Sequence, residues 1–319
     1  MDLQTRSAVA VSSFIDFCAL HGLAQPPDKI VKNLCTFLCQ DVERTPTFAY
    51  HKKHLSAILS FQNTSKAVEN GASEDHKAES KEKARLSRRG AGLAFIELST
   101  KFGEKLLETI PKMWQSMAGG ILISCSTGTH IASCWYDVVS RFIDTPNSAD
   151  ELISRQHGQD VIDSLSVLEA VVPTLHRDLW PKVQELFPMI VMALRSRFAI
   201  IRQSAARCFA AICDVMTVEA MRFVIEAVLP FLGDTLENSN RQGATELVFS
   251  TSIYCTTTSY SPVSFLTDVV QRLDHKALPY VIFLVVPVLG RMSDPDDDIR
   301  STATNTFASL VKMVPLEVW

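Results

Sequence analysis

Four residues near the start of the chain have the types and spacing of a zinc site: Cys18, His21, Cys35 and Cys39. Cys35 and Cys39 are one helical turn apart and could chelate together. Cysteines on packed amphipathic helices more often fill the core, and that reading is preferred, so no metal ligand is assigned. A second cluster, Asp294, Asp296 and Asp298, copies the first three ligands of a calcium loop. Its sixth position is Ile299 rather than Gly and its twelfth is Asn305 rather than Glu, which breaks the pattern. The cluster reads instead as a turn followed by a helix start, with Ser293 and Asp294 as N-cap residues and the aspartates sitting where the helix dipole favours negative charge. A third stretch, Lys81–Arg89 (KEKARLSRR), has the basic density of a nuclear-import or phosphate-contacting patch. Glu82 and the helical continuation favour a loop end plus an exposed first turn.

The remaining chemistry is sparse. The sequence has no Gly-x-x-x-x-Gly-Lys-Ser/Thr phosphate loop, no Gly-x-Ser-x-Gly elbow and no His-Glu-x-x-His. The eight histidines are dispersed, with no acid–His–nucleophile constellation. Cys208 and Cys213 share one helix and look structural. No catalytic residue, cofactor-binding residue, cofactor or small-molecule substrate is assigned, and the chain is expected not to be an enzyme.

Composition narrows the setting. The chain of 319 residues is 47% hydrophobic, with a net charge of −4 and a pI of about 6.1. That supplies a large core and no global basic field for nucleic acid. Eight cysteines without a secretory leader suit a reducing compartment. The longest apolar run, Ala277–Gly290, is interrupted by Pro287 and is short of the ~20 residues a membrane span needs.

The elements that would hold these residues repeat. Around Arg300, the pattern Arg-x-x-Ala followed by an apolar residue four further on runs Arg300, Ala303, Phe307. It recurs at Arg88, Ala91, Phe95, at Arg202, Ala205, Phe209, and at Arg241, Ala244, Val248. A proline precedes three of these in the upstream apolar helix: Pro188, Pro230 and Pro287. The interval from Arg202 to Arg241 is 39 residues (241 − 202), near the ~40–47 of a HEAT-type repeat. The physical sense is that Ala lets helices approach, the apolar residue fills the groove between repeats, and Arg bonds carboxylates or carbonyls of the turn. The expected fold is all-α: a HEAT-type α-solenoid of stacked antiparallel helix pairs.

In chain order, helices are expected over Ser7–Leu23, Lys29–Cys39 and His51–Phe61, with Gln25–Asp28 breaking the first two and Asp28 capping the second. Residues 1–61 form a first helical block. Gln62–Lys83 is too polar to offset its ordering entropy and reads as a disordered insert. Residues 84–319 carry the remaining repeats, with helices over Arg88–Phe102, Glu104–Met117, Cys134–Ile143, Gln159–Val172, Leu179–Leu194, Phe198–Val215, Val218–Leu232, Leu266–Leu273, Tyr280–Leu289 and Ile299–Met313. Thr217 should cap and Gly233 should stop the helix between them. Irregular segments are expected near 119–133 and 248–265, the latter β-like. The interval from Arg241 to Arg300 is 59 residues, 20 longer than the one before (59 − 39), which implies an insertion in that repeat. Val314, Leu316, Val318 and Trp319 leave an apolar, uncapped end, as expected of a fragment.

The segments KNLCTFLCQD (Lys32–Asp41), RRGAGLAFIELSTKFGEKLLETIPKMWQSM (Arg88–Met117), FVIEAVLPFLG (Phe223–Gly233) and the run Pro279–Glu317 resemble the central HEAT region of the TATA-binding-protein-associated Swi2/Snf2 remodellers. The resemblance covers most of the chain except Gln62–Lys83, Gly119–Asp150 and Val248–Phe265. It implies an α-solenoid arm in the nucleus, part of a regulator that displaces TATA-binding protein from promoter DNA using ATP. The implied partners are TATA-binding protein, with direct contact doubtful in this region, a Swi2/Snf2 ATPase domain normally in the same chain, and promoter DNA only indirectly. No membrane is implied. The motor is expected to be absent from this chain, since Trp319 is reached before any helicase motif. The competing expectation is a generic HEAT adaptor that holds a peptide or protein in its concave face.

Overall fold

The computed structural model describes residues 3–23, 25–42, 44–48, 74–123, 148–196, 198–257 and 267–313. The expected helices at His51–Phe61 and Cys134–Ile143 and the apolar end at 314–319 lie outside these. The described residues contain helices and no strand, so the fold is all-α as the periodicity requires. No helix among them is long and apolar enough to cross a membrane. The chain divides into two compact units, Met1–Leu186 and Phe187–Trp319.

In the first unit, α1 (Leu3–Leu20) and α2 (Gln25–Cys39) both pack on α3 (Glu74–Phe102). The α2 helix starts at Gln25, so Pro26 and Pro27 stand in its first turn, where a missing N–H costs nothing. They initiate a helix rather than break one. The α3 helix starts at Glu74, inside the stretch expected to be unstructured, and residues 78–83 are exposed along it. Phe102 ends it and Gly103 turns the chain at φ 52°, a conformation that favours glycine.

A short α4 (Leu106–Thr109) follows, and α5 (Pro111–Ile123) begins at the proline. The single helix expected over Glu104–Met117 is therefore two, because the residue before a proline avoids helical backbone: Ile110 sits at φ −130°, ψ 74°. The α5 helix runs through Gly119 and Gly120, which removes the expected irregularity as far as Ile123. It packs along α6 (Ser148–Val171). Glycine explains the closeness: a Cβ on Gly120 would lie 2.5 Å from the carbonyl carbon of Asp160, and the Gly120 N–H donates to Ser164 Oγ at 3.0 Å. The unit closes with α7 (Trp180–Gln184).

The second unit is built from helix pairs in two layers. One layer holds α9 (Ala199–Val215), α12 (Asn238–Thr257) and α14 (Asp297–Met313), each packed on the next. Their partners are α8 (Phe187–Leu194), α11 (Leu229–Leu232) and α13 (Thr267–Arg291). Small residues make α9 a two-sided helix: Ala205, Ala206, Ala210 and Ala211 are all buried. The α10 helix (Thr217–Phe223) leads through a π-helical turn, Val224–Val228, into α11. Pro230 lacks an N–H to continue the α-helical ladder, and the wider turn absorbs that break. Thr217 is the first helical residue and makes no cap bond, whereas Gly233 is the C-cap of α11.

Two expectations fail in this unit. Residues 248–257, expected to be β-like, are the continuation of α12. Burial of the Leu247–Val248 face overrides the weak helix preference of the Ser/Thr-rich sequence. The expected separate helices at Leu266–Leu273 and Tyr280–Leu289 are one helix, α13, continuous through Pro279 and Pro287.

Candidate functional site

Each helix pair of the second unit starts its inner helix in the same way. A short polar side chain closes a turn on the backbone two residues ahead. Ser196 Oγ accepts from Phe198 N–H at 3.2 Å, Asp234 Oδ1 from Leu236 N–H at 2.9 Å, and Asp294 Oδ1 from Asp296 N–H at 3.1 Å. Six or seven residues later an arginine donates back to the carbonyl of that same residue. Arg202 reaches Ser196 O at 2.9 Å, Arg241 reaches Asp234 O at 2.7 Å, and Arg300 bonds Asp294 O. In the first unit Arg88 also donates to a main-chain oxygen, that of Leu38 at the end of α2.

Two of these arginines also reach the following repeat. Arg202 donates from Nη2 to Gln242 Oε1 at 2.8 Å, and its Nε stands 3.7 Å from Glu246 Oε2, both on α12. Arg241 clasps Asp294, in the turn before α14, with Nε at 2.9 Å and Nη2 at 3.3 Å. Arg291 adds a third contact to Asp294 at 3.1 Å. These contacts form rungs between successive repeats. The Asp294 side chain is 0% exposed and that of Arg241 is 5% exposed. Burial would raise the Asp294 carboxyl, but the Asp296 N–H and the two guanidiniums outweigh it and hold the group below the usual carboxylate range.

Asp294 is thus not the helix cap. Asp296 fills that place, with Oδ1 accepting from the N–H groups of Asp298 and Ile299. Arg300 pairs with Asp297 at the start of α14.

The other repeat positions are packing residues. Ala91, Ala205, Ala244 and Ala303 are buried, as are Phe95, Phe209 and Val248, while Phe307 is half-buried. Phe209 stands in a three-ring cluster with Phe187 at 5.0 Å and Phe223 at 6.1 Å between centroids. Among the described residues no group of three or more His, Cys, Asp or Glu is placed to hold a metal ion. Cys18 and Cys35 are buried. Cys39 Sγ contacts the Asp163 carbonyl at 3.7 Å, and His21 Nδ1 lies 2.8 Å from the Phe17 carbonyl. Burial pushes the Cys35 thiol up to about 11 and the Cys39 thiol up to about 12, which leaves little thiolate near neutrality.

Glu246 is a site residue that spacing did not single out. Burial pushes its carboxyl from 4.5 up to about 7, with Arg202 pulling the other way. The folded state therefore holds this proton more tightly than the unfolded chain. The corresponding stability is present below pH 4.5 and lost as pH rises through about 7. Replacing it, Glu246→Gln, should remove a decline of up to about 3 kcal/mol across that window, since each pKa unit is worth ~1.4 kcal/mol before relaxation. Urea melts of the two proteins at several pH values check this; parallel pH profiles would refute it.

Known proteins are similar to this sequence. A family model described as a domain of unknown function (DUF3535) matches residues 1–116. TATA-binding protein-associated factor mot1 of Aspergillus fumigatus is 36% identical over 322 aligned residues, covering 99% of this chain and 15% of the relative. TATA-binding protein-associated factor MOT1 of Saccharomyces cerevisiae is 33% identical over 317 residues, with the same coverage of 99% and 15%. TATA-binding protein-associated factor 172 of Homo sapiens is 27% identical over 362 residues, covering 99% of this chain and 18% of the relative. The chain spans about 15% of the length of the first of these relatives. With similarity running along 99% of its length, the sequence is homologous to one segment, about 15% of the length, of these TATA-binding protein-associated factors.

Proposed function

We propose that this chain is a non-enzymatic scaffold: part of the HEAT-type arm of a nuclear regulator that displaces TATA-binding protein from promoter DNA at the expense of ATP. The observation that carries the reading is the rung geometry. Buried arginines such as Arg241 spend their hydrogen bonds on the turns and helices of neighbouring repeats, not on a cleft open to a substrate. Repeats joined in this way form a stiff connector, which suits transmission of force between a grip and a motor. TATA-binding protein is the partner of the whole arm, a Swi2/Snf2 ATPase domain belongs to the same assembly, and promoter DNA is engaged indirectly. The relatives' names and the small share of their length that this segment covers support that division of labour.

Immunoprecipitation from nuclear extract, with an antibody raised to Arg88–Met117, tests the proposal. Recovery of TATA-binding protein together with a Swi2/Snf2 ATPase is the expected result. Recovery of another partner without either would replace this reading with that of a generic HEAT adaptor.

A further inference from the structure

The outer layer of the second unit changes character along the chain. Before α13 its exposed face carries charge: Glu219 and Arg222 on α10, then Glu226 in the π-helical turn. The last turns of α13 carry none. Pro279–Gly290 contains no charged residue, yet Ile282 is 75% exposed and Val286 69%, with Phe283 and Leu289 also exposed. Ile282, Val286 and Leu289 stand at i, i+4 and i+7, which places them on one face of the helix, with Phe283 beside them.

The other side of this helix is already covered. Val281, Leu284 and Val288 are buried, and α13 packs on α10, α11, α12 and α14. Its last turns are therefore apolar all round while only one side is packed. A helix apolar on every side is a helix built to be buried on every side. The contacts that α13 makes within the unit are all with other helices, so the stripe continues a packing mode that the layer already uses.

We propose that the Ile282–Leu289 stripe of α13 is a docking surface for an amphipathic helix of a partner protein, one whose contact face is apolar and uncharged. Two helical turns of anchors, about 10 Å along the axis, match the ridges of a second helix. A charge on the partner's contact face would lose its hydration and find no counter-charge on the stripe. An extended segment is the poorer fit. Strand addition needs an open sheet edge, and α13 spends its backbone groups within its own helix. The inference is independent of any contact with TATA-binding protein.

The test is fluorescence anisotropy with the full 319-residue chain and a fluorescein-labelled 18-residue peptide whose leucines repeat at i, i+3, i+4 and i+7. The expected result is saturable binding that changes little with salt, and none to a peptide of the same composition with the leucines scrambled. Ile282→Gln/Val286→Gln should weaken binding by about tenfold or more, since two apolar anchors are lost. Its thermal midpoint should stay that of the wild type, because both side chains are exposed. Glu219→Gln, on the charged part of the outer layer, should leave affinity unaltered. Failure of the peptide to bind would overturn the proposal, as would equal binding of the scrambled peptide or equal affinity in the double variant. Sedimentation showing a wild-type dimer that the double variant reduces to monomer would overturn it in favour of a second copy on the stripe. Stripe-dependent binding to phosphatidylcholine vesicles, with none of the peptide, would overturn it in favour of a lipid surface.

Discussion

Asp294→Ala should destabilise the second unit by about 3–5 kcal/mol, the usual cost of stranding a buried charge by removing its partner. The carboxylate is fully buried and accepts from Arg241, from Arg291 and from the Asp296 N–H. Its loss leaves the Arg241 guanidinium, itself 5% exposed, facing an empty pocket. A domain holds only about 5–15 kcal/mol in reserve, so a large part of the folded population is at stake. Urea unfolding followed by circular dichroism measures the effect, and a loss below about 1 kcal/mol would mean that the rung is ornamental.

Two comparisons isolate the cause. Asp234 occupies the equivalent turn one repeat earlier, but it is half-buried, and its carboxylate accepts from Asn240 while Arg241 bonds only its main-chain carbonyl. Asp234→Ala should cost clearly less. Because the Asp294 carboxyl is held below its ordinary range, its contribution is present above the unfolded pKa and is lost as pH falls through the folded one. Acid should therefore weaken the wild type while sparing Asp294→Ala, the opposite slope to that expected from Glu246.

Gly243→Ala should cost about 3 kcal/mol despite adding the best helix former to the interior of α12. An added Cβ would lie 2.8 Å from the carbonyl carbon of Leu194, closer still to its oxygen, and 3.4 Å from Arg202 Cδ. Backbone cannot step aside as a flexible side chain can, so α8 and α12 must separate, and overpacking of this kind runs to ~1–3 kcal/mol or more. The same change at Gly119 meets nothing within 4 Å. Gly119→Ala should stabilise the protein by up to ~1 kcal/mol through helix propensity alone. Thermal melts of the two proteins that moved in the same direction would contradict the assignment of Gly243 as a contact point.

The pattern Arg-x-x-Ala is visible in the sequence because, in the second unit, its arginine and alanine sit in similar places three times over. Arg202, Arg241 and Arg300 all anchor the turn preceding their helix, and Ala205, Ala244 and Ala303 are all buried. What each arginine reaches next was not legible. Gln242, Glu246 and Asp294 lie 40, 44 and 53 residues along the chain from their arginine, and nothing local marks them (242 − 202, 246 − 202, 294 − 241). The acidic turn hides its roles for a related reason: the four aspartates among residues 294–298 look alike, and only the approach of Arg241 from another helix separates the buried partner, Asp294, from the cap, Asp296.

Helix ends are less legible in this sequence than helix faces. Pro26, Pro27 and Pro111, expected as interruptions or interior residues, start helices, since a first-turn residue needs no N–H partner. Pro279 and Pro287 sit inside one continuous helix. The Ser/Thr-rich run 248–257 shows the converse. Its local preference is for extended chain, yet the buried stripe through Ala244, Leu247, Val248 and Thr251 keeps it helical, because tertiary burial outweighs propensities of a few tenths of a kcal/mol per residue.

The scaffold account is tested most directly by a gel-shift of a preformed complex of TATA-binding protein and TATA-box DNA, to which the purified chain is added with and without ATP and magnesium. The account predicts that ATP changes nothing: the protein–DNA band keeps its intensity, and no phosphate is released. Loss of that band only when ATP is present, with phosphate appearing in step, would contradict it and make this chain a motor.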